Sequence, residues 1–316
     1  MIIGKSAALV EMQTLVRKMA QCDAPVLIEG DTGTGKELAA RAIHYLSPRR
    51  EFPFIPVNCG AIPDSLIENE LFGHRKGAFT DAKEDQSGLV ANARGGTLFL
   101  DELETLSHKG QVTLLRFLQD FHFRPLGATE STASDVRIIA ASNADLSELA
   151  NAGRFRSDLL FRLRILYLRV PRLAERVGDA PLLAAHFLAR LSDNSGRAPK
   201  TLDSRSEPYL NAYAWPGNIR ELENLVYREY FLSDSDTLLL MPGERHDAWN
   251  SNHDDTWRKF STAKEHAIEA FERHYLSRLM SEASGNVSHA ARLSGKERRA
   301  LGRLLKKHGI NRLDFC

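Results

Sequence analysis

The sequence predicts an α/β fold, a parallel sheet flanked by helices, followed by a smaller helical region and a basic helix-turn-helix. Three observations predict it. Short apolar runs alternate with helical patterns over residues 1–172. A glycine-rich stretch joins the first of these runs to a helix. The positive charge is concentrated at the carboxyl end: residues 259–316 hold twelve Lys and Arg against six Asp and Glu, a net +6, leaving 30 against 35, a net −5, in the rest. The overall net charge of +1 is therefore a cancellation.

Composition sets the outer bounds. With 316 residues, 43% hydrophobic and 26% charged, the chain has material for two or three packed domains and is neither disordered nor fibrous. No run reaches the ~18–20 apolar residues of a membrane span, and the start, MIIGKSAALVEM, lacks signal-peptide anatomy. Cys22, Cys59 and Cys316 have no paired spacing, which excludes a disulfide framework or zinc site and makes a cytoplasmic location the expectation.

The predicted strands are 25–29 (PVLIE), 54–58 (FIPVN), 97–101 (TLFLD), 136–141 (VRIIAA) and 165–170 (ILYLRV). Each is short, apolar and bounded by Gly, Pro or Asp, with helical sequence between, as βαβ units require. After Arg172 the pattern is helical, with helices predicted over 179–191 and 218–232, the second following the Trp215-Pro216-Gly217 turn. Residues 242–258 read as a linker, because 242–255 (PGERHDAWNSNHDD) has no periodicity. Helices are expected again over 263–283, 287–293 and 297–308.

The stretch Gly30-Asp31-Thr32-Gly33-Thr34-Gly35-Lys36-Glu37 follows the first strand and opens a helix expected over 37–46. Glycines there let backbone N–H groups wrap phosphates, Lys36 reaches the β/γ-phosphates, and the helix N-terminus adds partial positive charge. The strict pattern has Ser or Thr after the lysine; here Glu37 stands there. Gly95-Gly96-Thr97-Leu98-Phe99-Leu100-Asp101-Glu102 is an apolar strand ending in two acids. Asp101 is the candidate Mg²⁺ ligand beside the phosphates and Glu102 the candidate general base that polarises water. Asp-Glu at a strand end also serves as a helix N-cap, but its pairing with the glycine loop favours nucleoside triphosphate chemistry.

Longer motifs carry a resemblance. Glu70–Ala82 (ELFGHRKGAFTDA) resembles the ELFGHxKGAFTGA segment of bacterial enhancer-binding proteins, the AAA+ activators of sigma-54 RNA polymerase. Residues 52–66 (FPFIPVNCGAIPDSL), 95–102 (GGTLFLDE), 153–163 (GRFRSDLLFRL) and 214–224 (AWPGNIRELEN) are similar to the same family. The resemblance implies an AAA+ P-loop sheet domain over 1–172, a helical lid over 173–241 and a Fis-type helix-turn-helix over 259–316. It makes Glu37 ordinary, and matches Asn58 to a restraint on the catalytic glutamate. It also matches Asn143 to sensor I, Arg156 and Arg162 to arginine fingers, and Arg220 to sensor II; Ile2, Ile3 and Gly4 match the stretch that packs on adenine. Fingers supplied by a neighbouring subunit imply a ring, expected to be a hexamer, that hydrolyses ATP with Mg²⁺.

Gly77-Ala78-Phe79-Thr80-Asp81-Ala82 is then the tip of an insertion in the helix after the second strand, with Phe79 and Thr80 gripping the sigma factor. Asp81 stands where the family usually has Gly and adds a negative charge beside that contact. A second loop around 121–134 is expected beside the first, coupling it to the nucleotide site. The expected function is remodelling of sigma-54 polymerase to the open complex from an upstream DNA site. Asp81 sustains one alternative, a DNA-binding AAA+ regulator that does not activate sigma-54.

In the tail, Leu301, Leu304 and Leu305 are expected inward, and Lys296, Arg298, Arg299, Arg303 and Lys306 are the candidate double-stranded DNA contacts. Lys296 and Glu297 depart from the apolar and Ser/Thr pattern usual there. With the ATPase beginning at residue 2, the expectation is control by a separate regulatory protein, by expression level or by a partner of the ring, with no membrane involvement.

Overall fold

The computed structural model describes residues 2–195, 199–241 and, in the carboxyl-terminal segment, 276, 279, 280, 283, 286–294 and 298–308. The chain divides into two compact units, Met1–Asp247 and Ala248–Cys316.

The first unit holds five parallel strands: β1 (Val26–Glu29), β2 (Phe54–Asn58), β3 (Thr97–Asp101), β4 (Arg137–Ser142) and β5 (Leu166–Arg169). They lie in the order β2-β3-β4-β1-β5. All five predicted strands are present, two with the predicted bounds and three with ends moved by one residue. The order follows from burial. The three inner strands read almost entirely apolar, as strands covered on both faces must, and Val26, Leu27 and Ile28 are wholly buried. β2 carries Pro56, which cannot donate to a ladder and is accommodated at an edge.

Successive residues point to opposite faces, so one strand feeds two cores. Leu27, Leu98, Leu100, Ile138 and Ala140 join one cluster; Val26, Ile28, Phe99, Ile139 and Ala141 join the other. The first cluster is closed by His108–Asp120 and Ser157–Leu163, the second by Ala7–Ala20 and Lys36–Tyr45.

Helices Asp179–Ser195, Ser206–Ala212 and Asn218–Leu232 build a separate core around Trp215, Tyr230, Leu188 and Leu222. This is the expected lid. The last of these helices has the bounds that the sequence predicts. Asp179–Ser195 runs four residues beyond the predicted end, since Leu191 is buried and no Gly or Pro stops the helix there.

Between β2 and β3 the chain leaves the sheet. Ile67–Phe72 leads into a two-stranded antiparallel ribbon, Gly73–His74 with Gln86–Ser87, whose loop holds residues 77–82, and Leu89–Asn92 returns. A second ribbon pairs His122–Phe123 with Thr132–Ala133. The two insertions touch: the Arg75 N–H donates to Leu126 O at 2.9 Å, and the Leu126 N–H to Gly73 O at 2.9 Å.

In the second unit, Val287–Leu293 and Arg298–Lys307 are helical, and Leu301 and Leu305 pack with Ala290, Ala291, Leu276, Leu279 and Met280. Leu304 is half-buried and Arg303 exposed, which matches the predicted inward and outward faces. Arg298 and Arg299 open the second helix and Lys306 lies in it. Lys296, the linker 242–258 and most of the predicted helix over 263–283 lie outside the described residues.

Candidate nucleotide site and contact loop

The glycine loop runs from the end of β1 to the start of Lys36–Tyr45, one residue earlier than expected because Lys36 already takes helical geometry. Gly33 has φ +78°, and a Cβ there would lie 2.4 Å from Gly217 O, so the loop's sharp turn and its approach to the lid both need glycine. The Ile219 N–H donates to Gly33 O at 3.0 Å and Asn218 Nδ2 to Thr32 O at 3.0 Å. Asn218 also accepts from the Leu173 N–H at 2.9 Å, with φ +52° and almost no exposure. The lid helix is thereby fastened to the phosphate loop. Arg220 sits in the first turn of this helix and is exposed. Asp31 pairs with Arg172 at 2.8 Å, and Thr34 Oγ1 donates to Asp31 O at 2.7 Å.

Lys36 Nζ donates to Gly30 O at 2.8 Å, Asp31 O at 3.1 Å and Asn143 Oδ1 at 2.5 Å. Burial pushes its ammonium below the ordinary lysine value, against the pull of Asp101, Glu104, Asp31 and Glu102. Asp101 ends β3, beside the end of β2 through the pairing Asn58↔Asp101. Burial raises the Asp101 carboxyl, although the Glu102 N–H at 2.9 Å and Lys36 act to lower it. Glu102 has φ +55°, a left-handed conformation that turns the chain sharply after the strand.

Asn58 is placed beside Glu102, with a different bonding pattern from a direct restraint: its Oδ1 accepts from the Gly60 N–H at 2.8 Å. A Cβ on Gly60 would lie 2.9 Å from Glu102 Oε2 and 3.2 Å from Asn58 Oδ1, so the two side chains converge on the same point. Cys59, next in sequence, is buried and pushed up to about 12, by burial first and then by Asp101, Glu104 and Glu102, so its thiol stays protonated.

The donor set is one of hard oxygens. Among the described residues no group of three or more His, Cys, Asp and Glu forms a metal cage. Asp101 with substrate oxygens is nevertheless the kind of site that Mg²⁺ uses, because it keeps few protein ligands. Glu37 takes no part in it and pairs with Arg41 at 2.7 Å.

Ile2, Ile3, Leu38, Leu183, Phe187 and Ile219 line a cavity of ≈ 280 Å³ whose wall includes Thr34 and Gly35. The amino-terminal strap is tied down by Asp179, which accepts from the Lys5 N–H at 2.6 Å, the Ser6 N–H at 3.1 Å and Ser6 Oγ at 2.8 Å, while Arg176 donates to Ile3 O at 2.6 Å. Gly4 lies in this strap against Asp179. Burial opposes ionisation of Asp179, yet these donors and Arg176 hold its carboxyl below the usual range.

Arg156 and Arg162 lie at and within Ser157–Leu163, away from Lys36 in sequence, the first bonded locally and the second to another helix. Arg156 makes a bidentate contact with Asp158 at 3.0 and 2.7 Å. Arg162 donates to Leu118 O and Gln119 O, both at 2.9 Å, at the carboxyl end of His108–Asp120. In the contact loop, Thr80 and Asp81 are exposed and Ala82 is buried. The Gly77 N–H donates to Ala82 O at 2.8 Å, closing the loop. Phe79 is 45% exposed, and one side of its ring rests on His74 at 4.8 Å. Ala78 packs against Gly127 of the second insertion.

Three groups in this region were not singled out from sequence: Glu104, Asn218 and the Asp179–Arg176 pair. The Trp215-Pro216-Gly217-Asn218 turn held a usable signal for Asn218. Glu104 has none, since Asn143 lies 39 positions away, and neither has the role of Asp179, whose partners Lys5 and Ser6 are 174 and 173 positions distant although Arg176 is near.

A parallel sheet with a glycine loop after β1, an acid pair after β3 and a helical lid docked on that loop defines an AAA+ P-loop NTPase. The chain belongs to the sigma-54 interaction domain family, whose model matches residues 2–169. An AAA+ ATPase lid domain matches residues 174–242 and a bacterial regulatory protein, Fis family, model matches residues 267–308. Response regulator protein PilR of Pseudomonas aeruginosa is 42% identical over 98% of this chain and 70% of its own length. Regulatory protein AtoC of Escherichia coli K12 is 39% identical over 99% and 68%. A crystal structure of NtrX from Brucella abortus in complex with ATP is 34% identical, with TM-score 0.70, over 98% of this chain and 69% of that one. Among the described residues no helix is long and apolar enough to cross a membrane.

Proposed function

We propose that this chain binds upstream DNA through its Fis-type module, hydrolyses ATP in a ring and uses the hydrolysis to remodel sigma-54 polymerase to the open complex. The observation that carries the reading is the convergence of Lys36, Asn143, Asp101 and Glu102 at the carboxyl ends of adjacent strands. The ATP-bound NtrX relative supports the choice of nucleotide.

Lys36 takes the β/γ-phosphates within the loop formed by Gly30, Asp31, Thr32, Gly33, Thr34 and Gly35, exchanging carbonyl acceptors for phosphate oxygens. The base lies in the apolar cavity under Ile2 and Ile3, a chemistry suited to adenine. Asp101 would hold Mg²⁺, which supplies charge neutralisation at the β- and γ-oxygens. Glu102 accepts a proton from the attacking water, and Asn58, whose side chain converges with it at Gly60, is the residue that restrains it once the Asn58 amide leaves its bond to the Gly60 N–H. Arg220 reports the γ-phosphate to the lid. Arg156 and Arg162 of one subunit serve its neighbour's site, which makes a ring, read as a hexamer, necessary. Arg162 is bonded to the helix that leads into the second insertion, and that insertion touches the Phe79 loop, so a contiguous route joins finger to loop.

Phe79 and Thr80 grip the sigma factor. Lys296, Arg298, Arg299, Arg303 and Lys306 contact DNA.

Open-complex formation on a sigma-54 promoter tests the reading, with Asp81→Gly alongside. Activity in the wild type supports it. Inactivity of the wild type with recovery in Asp81→Gly favours the second reading, a DNA-binding AAA+ regulator that does not activate sigma-54, for which exposed Asp81 is the reason. Phe79→Ala is expected to abolish open-complex formation and keep ATPase activity. A chain ending at Asp255 is expected to lose specific DNA binding and keep ATPase activity.

A further inference from the structure

Glu104 belongs to the site by contact and is used by none of the steps above. It lies in the short turn Leu103–Thr105, into which the left-handed Glu102 delivers the chain. Its Oε1 accepts two hydrogen bonds from one residue, Asn143: from the backbone N–H at 3.2 Å and from side-chain Nδ2 at 2.9 Å. The opposite end of the same amide, Oδ1, faces Lys36 Nζ at 2.5 Å. We propose that Glu104 is a positioning residue for hydrolysis, fixing the Asn143 side-chain amide with its oxygen toward Lys36 Nζ and the attacking water. This rests on the ATPase reading.

An amide has a donor end and an acceptor end of nearly equal size, so packing alone leaves its orientation open. Here both ends are specified. Turning the amide over would set its oxygen against the Glu104 carboxylate and its NH₂ against the Lys36 ammonium, two contacts without a usable donor–acceptor pair. With Glu104 in place, Asn143 is an acceptor toward the site. An acceptor can hold a lysine ammonium or an O–H of the attacking water; it cannot bond a phosphate oxygen, which is itself only an acceptor. Phosphate recognition therefore falls to Lys36, and Asn143 is left to orient the water that Glu102 deprotonates. Glu104 Oε2 is buried with no hydrogen-bond partner among the described residues. A carboxylate kept only to fill space would more ordinarily be satisfied at both oxygens or replaced by an apolar side chain.

Steady-state hydrolysis and equilibrium binding of ATP and ADP by the full chain test this, with Glu104→Ala, Glu104→Met, Glu104→Gln, Asn143→Ala and the Glu104→Ala/Asn143→Ala pair. Losing the orientation is expected to lower kcat by about 10²-fold, the size of loss that a misplaced catalytic group produces. KM and the ATP dissociation constant should stay within about twofold. Glu104→Met, which keeps volume without an acceptor, should match Glu104→Ala and decides the matter if the alanine chain folds poorly. Glu104→Gln, which keeps an oxygen at the same reach, should restore most of kcat. The double variant should be no slower than Asn143→Ala alone, since a purely structural role would let the two losses multiply. A wild-type kcat in Glu104→Ala and Glu104→Met, or losses that multiply, overturns the proposal while the ATPase reading stands. A wild-type chain without hydrolysis overturns that reading, and this proposal with it.

Discussion

The two ends of the same sheet both collect charge. At the amino end, Thr97 of β3 lies beside Arg137 of β4, and His44 Nδ1 is 2.9 Å from Thr97 Oγ1. Arg49 there bonds Asp23 at 2.9 Å, Asp135 at 2.7 Å and Gly95 O at 2.9 Å, and Arg137 donates to Met19 O at 2.7 Å. At the carboxyl end, the field of Asp101, Glu104, Asp31 and Glu102 falls on the single ammonium of Lys36. One cluster has its carboxylates matched by a guanidinium and knits loops together. The other sets Asp101, Glu102 and Glu104 around Lys36, with Asp31 paired to Arg172, against a loop of backbone N–H groups suited to phosphate. Buried charge by itself thus does not mark a functional site. Strand direction does: in a parallel sheet the loops that can vary around a ligand follow the carboxyl ends.

The largest test of this contrast is Glu102→Gln. Hydrolysis should fall by about 10²–10⁴-fold, the range for losing a general base, while ATP binding measured by titration is kept. Arg49→Ala, at the other end, should leave kcat unchanged and cost on the order of 1–2 kcal/mol in urea unfolding, because partly exposed ion pairs contribute little and one hydrogen bond to Gly95 O is lost. A drop in kcat comparable to that of Glu102→Gln would break the comparison.

Arg137→Met should change unfolding free energy by less than about 1 kcal/mol. Arg137 is buried with Nε and Nη1 lacking partners among the described residues, so an apolar side chain of similar length removes a desolvation cost along with the bond to Met19 O.

The smallest effect is on acid stability. The hydrogen bond from Arg49 holds the Asp23 carboxyl below its ordinary value. A depressed carboxylate adds stability that is complete above the unfolded value of about 3.9 and lost as pH falls through the lowered folded value. Asp23→Asn should therefore flatten the fall of the urea midpoint below about pH 4 and leave hydrolysis at neutral pH untouched.

Much of this was legible in the sequence, for local reasons. The five strands appear from apolar runs with turn residues at their ends, and Asn218–Leu232 from a helical period behind a Pro-Gly turn. The phosphate loop is legible because the glycines it needs are consecutive in the chain. The contact loop was legible as a motif. The rest of Phe79's ring on His74 was not, nor the second insertion's bond to Gly73 through Leu126, because ring contacts and ribbon pairing depend on how two insertions meet.

By itself, the sequence determined the division into an acidic P-loop region and a basic tail, the five strands of the parallel sheet, the glycine loop and the acid pair at the end of β3. Those depend on charge, period and backbone freedom, which act between neighbours in the chain. The tertiary structure alone decided that Asn218 fastens the lid to Thr32, 186 positions away, that Asp179 ties down the amino-terminal strap, 174 positions from Lys5, and that Glu104 orients the amide of Asn143. Hydrogen bonds require donor and acceptor within about 3 Å, and only the folded sheet brings such distant residues that close.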